Sequence, residues 1–342
     1  KVFYFDSNKT LTLLRGCNSN YGDAIYSVDW APNGYWLAVG GYSPTNNHEL
    51  QVYRFNSQSS LALTTSAEYG DSIYSVAWSS DGNYLAVGGS GSNDGAELHI
   101  YSMNTQDYLY QVTGANYGNR ILEMDWSSDS QYLALAGGTP DNGNELQIYS
   151  FDSTTSTLSY LDGKDFGAGD SYETWAVAWS PDGDYVAVGG ENDGRLKIYY
   201  FDGSDLSDAI IDENLGASII HSISWSPCGN YLSVSPVSPT NEHEIQIYLF
   251  NGTSIRLITS LDYGNSGSGA IDSDWSSDGN YMAVAGFNPT DGREVKIYPV
   301  SWLCSNIQAQ EGSESVVDLE MSDVKIDISK YVSLENIRLR VK

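Results

Sequence analysis

The chain has 342 residues, 41% of them hydrophobic, with 26 Tyr, 9 Trp and 8 Phe; it is long enough to bury a large core and too apolar to be disordered. Its 44 acidic residues against 16 basic ones leave a formal charge of −28, which argues against nucleic acid as a partner and favours cationic ones. No apolar run reaches the roughly 18 residues of a membrane-spanning helix, so no membrane insertion is expected.

In chain order, residues 1–20 hold two short strand-like runs, Val2 to Asp6 and Leu11 to Leu14. They read as the end of a unit whose beginning lies elsewhere. From Tyr21 that unit appears whole, and its clearest copy runs from Tyr69 to Met103. There the runs IYSVAW, NYLAVGG and ELHIY are rich in β-branched and aromatic residues and are separated by SSDG and SGSNDGA. Three short strands joined by tight turns are predicted, with the glycine of Ser79-Ser80-Asp81-Gly82 supplying a positive φ. A weak fourth strand completes the unit.

Trp30, Trp78, Trp126, Trp179, Trp225 and Trp275 end the first strand of six copies, at spacings of 48, 48, 53, 46 and 50 residues. Each is followed by a variant of SPDGDYVAVGG and then of ELQIYSF. A repeat of this length fixes the architecture ahead of any other signal. The fourth unit has a longer approach, at 166–172, and the sixth carries a Gly/Ser insertion at 265–269, read as a surface loop. Beyond Trp302 the pattern fades: residues 301–313 lack a fourth strand's periodicity, and 316–321, 324–328 and 335–341 resemble degenerate first, second and third strands. These either join residues 2–14 to close a seventh blade or begin a further segment. Seven units of about 48 residues account for nearly the whole chain, which favours closure.

At WSPDGDYVAVGG followed by RLKIYYFD the chain resembles a WD-repeat β-propeller of the divergent, bacterial kind, over about 300 of its residues. The resemblance implies an all-β fold of four-stranded antiparallel blades, most simply seven, forming one domain over 1–342. Residues 1–20 would complete the closing blade, 21–300 would form six clear repeats and 301–342 the degenerate remainder. Two departures are consistent. Tyr-Gly-Asp or a variant (21–23, 69–71) stands where the family has Gly-His, and a Tyr with a following Phe (Tyr53, Phe55) stands for the closing Trp-Asp. The buried His and Asp network of the family is therefore not expected, and aromatic packing must hold the ring. The physical reading agrees, because a unit apolar on both faces must stack on neighbours, and radial repetition leaves only short edges. The six first-strand Trp residues are read as structural wedges. The two-residue alternation places Tyr74, Val76 and Trp78 on one face and Ile73, Ser75 and Ala77 on the other.

Function is expected on the disc face that gathers the loops leading into each first strand and the hairpins joining second strand to third. The candidate binding residues there are Tyr21, Asp23, Tyr42, Tyr69, Asp71, Tyr117, Arg120, Tyr263 and Phe287, because Tyr on a rigid frame makes a good contact anchor. The competing reading makes each Tyr-Gly-Asp a blade-to-blade turn, with the Tyr packed beneath it. The first function considered is a non-catalytic scaffold for protein partners, the chain itself in an assembly, or a glycan. A structural domain of a larger extracellular or filament-forming surface protein is the alternative, and a glycan-binding or glycan-degrading propeller the third. No enzyme activity and no cofactor are expected, since no nucleophile elbow, phosphate loop or His-rich metal site occurs. The inner-strand acids Asp29, Glu123, Asp125, Asp272 and Asp274 occupy positions that other repeats fill with Ala or Ser. The hairpins SGSNDGAE, TPDNGNE and NPTDGRE lack the spacing of a calcium loop and read as turns. Cys17, Cys228 and Cys304 are too few for a disulfide framework, and Cys228 takes the Asp place of a turn. Low Lys content and abundant Ser, Asn, Gly and Tyr favour an exported or surface protein, and the initial Lys marks a processed form or a piece of something longer.

Overall fold

Each of the six repeats folds as an antiparallel meander in a computed structural model. The structure describes residues 3–5, 11–13, 21–44, 47–56, 60–104, 107–167, 173–191, 194–237, 244–261, 263–289, 295–304, 315–319 and 337–341. A short hairpin, β1 (Phe3–Phe5) with β2 (Leu11–Leu13), comes first. Blade 1 comprises β3 (Gly22–Trp30), β4 (Trp36–Pro44), β5 (Leu50–Asn56) and β6 (Ser60–Ala67), and blade 2 comprises β7 (Ser72–Trp78), β8 (Tyr84–Ser90), β9 (Leu98–Met103) and β10 (Leu109–Ala115). Blade 3 has β11 (Arg120–Trp126), β12 (Tyr132–Gly138), β13 (Leu146–Asp152) and β14 (Thr157–Lys164), and blade 4 has β15 (Thr174–Trp179), β16 (Tyr185–Gly190), β17 (Arg195–Phe201) and β18 (Leu206–Asn214). Blade 5 follows as β19 (Ile219–Trp225), β20 (Tyr231–Val237), β21 (Ile245–Phe250) and β22 (Ile255–Leu261), and blade 6 as β23 (Gly264–Trp275), β24 (Tyr281–Pro289) and β25 (Val295–Pro299). After blade 6 comes a single helical turn, α1 (Ser301–Cys304), where the sequence had lost its strand period. Finally β26 (Ser315–Leu319) and β27 (Ile337–Val341) pair in parallel; the second-strand candidate at 324–328 lies outside the described residues. No helix among the described residues is long and apolar enough to cross a membrane.

The hairpin chemistry repeats as the sequence implies. In blade 2 the Ser79 hydroxyl donates to Asp81, accepts from the Tyr84 N–H at 3.0 Å, and Gly82 turns the chain at φ +71°. The same Ser-to-Asp bond recurs at Ser127–Asp129, Ser180–Asp182 and Ser276–Asp278. Cys228 is not the ordinary turn residue expected. It forms a disulfide with Cys304, Cα to Cα 5.8 Å, tying the blade 5 turn to α1 across 76 residues of sequence. Sequence spacing could not reveal this, because only the ring brings these two elements together. Cys304→Ser is expected to lower the unfolding free energy by about 2–4 kcal/mol, checked by urea unfolding beside the reduced and oxidised parent chain. Equal stability of all three would show that the bond does not constrain the fold.

The core lies between blades rather than within them. One buried cluster joins Ala38, Leu50 and Val52 of blade 1 to Ile73, Val76, Trp78 and Leu85 of blade 2, and equivalent clusters fill the next four joints. Every first strand carries a β-bulge at the same place, for example between Ile73 and Ser75 opposite Gly88 and Gly89. The extra residue slips the alternation by one. Ile73 therefore joins Val76 and Trp78 on the face toward blade 1, and Tyr74 is expelled from that face, which corrects the expected pairing of Tyr74 with Val76. Glycines of the second strand make room: an added Cβ on Gly88 would sit 2.8 Å from Ile121 Cγ2 and 2.9 Å from Met124 Sδ of the next blade.

Five of the six tryptophans are buried wedges. Trp30 departs from that reading: it is 39% exposed against at most 7% for the others, and it stacks edge-on against Phe55 of its own blade at 5.5 Å. Ile25 and Val28, at the places of Ile73 and Val76, are likewise exposed, because no described sheet packs ahead of blade 1.

Candidate functional site

Tyr69, Tyr117 and Tyr263 of the leading loops sit in joints between blades, and Tyr21 packs against blade 1. The Tyr69 N–H donates to Glu49 Oε2 of blade 1 at 2.8 Å, Gly70 N–H donates to the same oxygen at 3.2 Å, and the Tyr69 hydroxyl donates to the Glu97 carbonyl of blade 2 at 2.7 Å. Tyr117 repeats this with Glu97 and the Glu145 carbonyl, Phe166 N–H with Glu145, and Tyr263 N–H with Glu244. Tyr21 donates to the Glu49 carbonyl at 2.6 Å. Burial, reinforced by Glu97, holds the Tyr69 phenol far above its ordinary range, so it remains a donor. Tyr21, Tyr69, Tyr117 and Tyr263 are at most 4% exposed, and a ring so enclosed offers no contact surface. Their expected binding role is corrected accordingly: they are staples. The acids that complete the staples, Glu49, Glu97, Glu145 and Glu244, were not singled out. Their signal was the repeated Glu opening ELQVY, ELHIY, ELQIY and EIQIY.

Among the remaining candidates, Tyr42 is exposed and pairs with Ser72 across the first blade joint, and Asp71 is exposed. Arg120 forms an ion pair with Glu173, which leaves it tied to the joint between blades 3 and 4. The side chains of Asp23 and Phe287 lie outside the described residues.

The bulges create a different grouping. Tyr26, Tyr74, Leu122, Trp175, His221 and Ile271 are the bulge residues of the six first strands, four of them aromatic rings, and none is among the buried core residues. Tyr26 and Tyr74 lie 5.4 Å apart, and Trp175 meets His221 edge-on at 5.1 Å. The first strands are the innermost of each blade, so these side chains line the mouth of the central channel at the leading-loop end. Deeper on the same wall, side chains of one blade accept from the free inner edge of the next. Ser27 accepts from Val76 N–H, Ser75 from Met124 N–H, Glu123 from Val177 N–H, Asp29 from Trp78 N–H and Asp125 from Trp179 N–H, at 2.7–3.1 Å.

These acids alternate with a second device. Trp126, Trp225 and Trp275 donate their indole N–H to the carbonyls of Ala77, Ala178 and Ser224 in the preceding blade. Where the preceding residue is Asp29 or Asp125, the carboxylate takes the main-chain N–H instead, and Trp78 Nε1 and Trp179 Nε1 have no hydrogen-bond partner among the described residues. Burial raises the carboxyls of Asp29 and Asp125 to about 7, with the charge of Asp274 adding to both and that of Asp29 adding to Asp125. Asp29, Asp125 and Asp274 come from blades 1, 3 and 6, so their fields meet across a shared space. Burial, then Asp272, likewise raises Glu123. None of the five channel acids is in an ion pair among the described residues.

Comparison with known proteins agrees with this architecture. The family model described as WD domain, G-beta repeat matches residues 9–45, the WD40 domain of anaphase-promoting complex subunit 4 matches 43–129, and eukaryotic translation initiation factor eIF2A matches 97–260. The chain is a WD-repeat-like β-propeller. The β-propeller domain of Cps50 (Swd1) from Myceliophteria thermophila is similar to it, at TM-score 0.61 and 15% identity over 83% of this chain and 84% of that one. A chain of the mitotic checkpoint complex is similar at TM-score 0.63 and 19% identity, over 86% and 82%. So is the periplasmic gluconolactonase PpgL of Pseudomonas aeruginosa, at TM-score 0.65 and 14% identity, over 87% and 86%. At these identities the likeness is one of fold. No curated protein matches the chain in sequence. In this propeller Tyr, Glu and main-chain groups hydrogen-bond across the joints, so hydrogen bonds as well as aromatic packing join the blades.

A carboxyl whose folded pKa lies above its unfolded value holds its proton more tightly in the folded state. Its stabilising contribution is therefore present in mild acid and lost as pH rises through about 7 for Asp29 and Asp125. His221, whose pKa burial lowers from 6.5, acts in the opposite sense, and stability from it is lost as pH falls. Asp125→Asn keeps an oxygen for the Trp179 N–H and removes the charge. It is expected to flatten the dependence of unfolding free energy between about pH 8 and about pH 5.5 by about 1–2 kcal/mol, read by urea unfolding at both values. An unchanged slope would remove Asp125 from the titration.

Proposed function

We propose that this propeller is a non-catalytic interaction module that engages a protein partner across the channel mouth. The observation that carries this reading is the set of accessible bulge side chains, Tyr26, Tyr74, Trp175 and His221 among them, held on strands that the Tyr and Glu staples fix between blades. Aromatic anchors on a rigid frame bind with little ordering cost. Tyr42, paired with Ser72 two residues before Tyr74, adds an exposed ring at the same end. The channel carboxylates Asp29, Asp125 and Glu123 already serve as acceptors for the next blade's main chain, which supports a structural over a catalytic use. The similar propeller in the mitotic checkpoint complex is a component of a protein assembly and supports the same reading.

The test is a protein-panel screen of the chain beside two variants that keep the fold: Tyr74→Ala with Trp175→Ala at the mouth, and Tyr108→Ala with Tyr110→Ala, two exposed residues on and beside the outer strand β10. A hit lost only in the mouth variant supports the reading; a hit lost only in the outer variant moves the surface to the rim. The bare flanks at the joint between blades 6 and 1, where Ile25, Val28 and Trp30 are exposed and Ala283 is exposed although its counterparts Ala86, Ala134 and Ala187 are buried, fit a seventh blade made from the terminal strands. A disulfide between a turn and α1 suits an oxidising setting, which favours a surface or exported protein.

A further inference from the structure

We propose that the channel mouth admits a Lys or Arg side chain from a basic segment of the partner, the aromatic ring gripping its apolar stem and the channel acids holding its charge. This rests on the interaction reading above and names the chemistry of the partner. Two independent features of the wall coincide. The first is the accessible ring of Tyr26, Tyr74, Trp175 and His221, with Leu122 and Ile271, which would cover the methylenes of a long side chain and place π faces beside its cation.

The second feature is complementary charge. One and three residues beyond each bulge position the same strands carry Glu123, Asp125, Asp29, Asp272 and Asp274, from blades 1, 3 and 6. The charged groups around them are few. Arg120, nearer the loops, is paired with Glu173, and burial disfavours the protonated form of His221. Burial first, and after it the repulsion of neighbouring acids, raises the carboxyls of Asp29, Asp125 and Asp274, and an entering cation would relieve that repulsion. An acidic side chain would have to enter against the same field, and a neutral one would gain nothing from it. The overall charge of −28 adds long-range attraction for a cation.

Fluorescein-labelled tetralysine, tetraarginine and tetraglutamine, titrated with the intact chain at about 0.15 M salt and read by anisotropy, test the assignment. The two basic peptides are expected to bind and tetraglutamine not to. Asp125→Asn with Asp274→Asn, and separately Tyr74→Ala with Trp175→Ala, are each expected to weaken binding about tenfold. Asp208→Asn with Glu213→Gln, on the outer strand β18, should leave it within about twofold. Binding of tetralysine should also strengthen as pH rises past about 7, when the channel carboxyls ionise. Equal loss in the outer-strand variant would show general acidic attraction and overturn the proposal. Tetraglutamine binding as tightly as tetralysine would overturn the basic specificity while leaving an aromatic interaction site in place. A partner found in the screen that needs Tyr74 and Trp175 but has no basic segment at its contact would do the same.

Discussion

Tyr117→Ala is expected to destabilise the ring by about 4 kcal/mol, and Tyr117→Phe by about 1 kcal/mol. The alanine variant empties a fully buried volume within the cluster that joins blades 2 and 3 and also removes the hydroxyl that donates to the Glu145 carbonyl at 2.7 Å. The phenylalanine variant keeps the ring and leaves one buried carbonyl without that donor. Urea unfolding of both variants beside the parent separates packing from hydrogen bonding. Glu97→Ala should approach the larger figure, because it leaves the N–H groups of Tyr117 and Gly118 without their acceptor in the joint between blades 2 and 3. If Tyr117→Ala unfolded like the parent and instead lost a binding partner, Tyr117 would be a contact residue after all.

The second large effect belongs to Gly89→Ala, expected to cost about 3 kcal/mol or more. An added Cβ would lie 1.9 Å from the Ser72 carbonyl oxygen and 2.9 Å from Ile73 Cα. Both atoms are main chain on the partner strand, beside the bulge, so no rotamer change relieves the overlap. Either the bulge is lost, which would drive Ile73 off its face, or β7 and β8 separate at their ends. Gly95→Ala is the comparison: the added Cβ meets nothing within 4 Å, and only the φ of +77° opposes it, a cost of about 1 kcal/mol. Equal losses for the two variants would mean that close approach at the bulge does not matter.

The candidate site was less legible than the repeats. Tyr-Gly-Asp looked like an exposed loop motif because its residues are those of turns, yet the Tyr is drawn into the joint by two bonds to residues 20 and 28 positions away, Glu49 and Glu97. A sequence alone does not show a partner so distant. Strict alternation puts Tyr74 on one face with Val76 and Trp78; one bulge residue reverses that and sends it to the channel. Cys228 and Cys304 carried no spacing signal for the same reason.

The period, the number of clear repeats, the position of each hairpin and the Trp that ends each first strand are all legible in the residues alone. Those features are local: turn residues, alternation and small second-strand residues act within a few positions of one another, and repetition makes them legible six times over. Tertiary structure decided which Tyr are staples and which are accessible, that Asp29, Asp125 and Asp274 share one channel, and that one disulfide crosses from blade 5 to α1. These follow from the stacking of blades around an axis, which brings together residues tens to hundreds of positions apart. Each blade is apolar on both faces and reaches a stable state only against its neighbours.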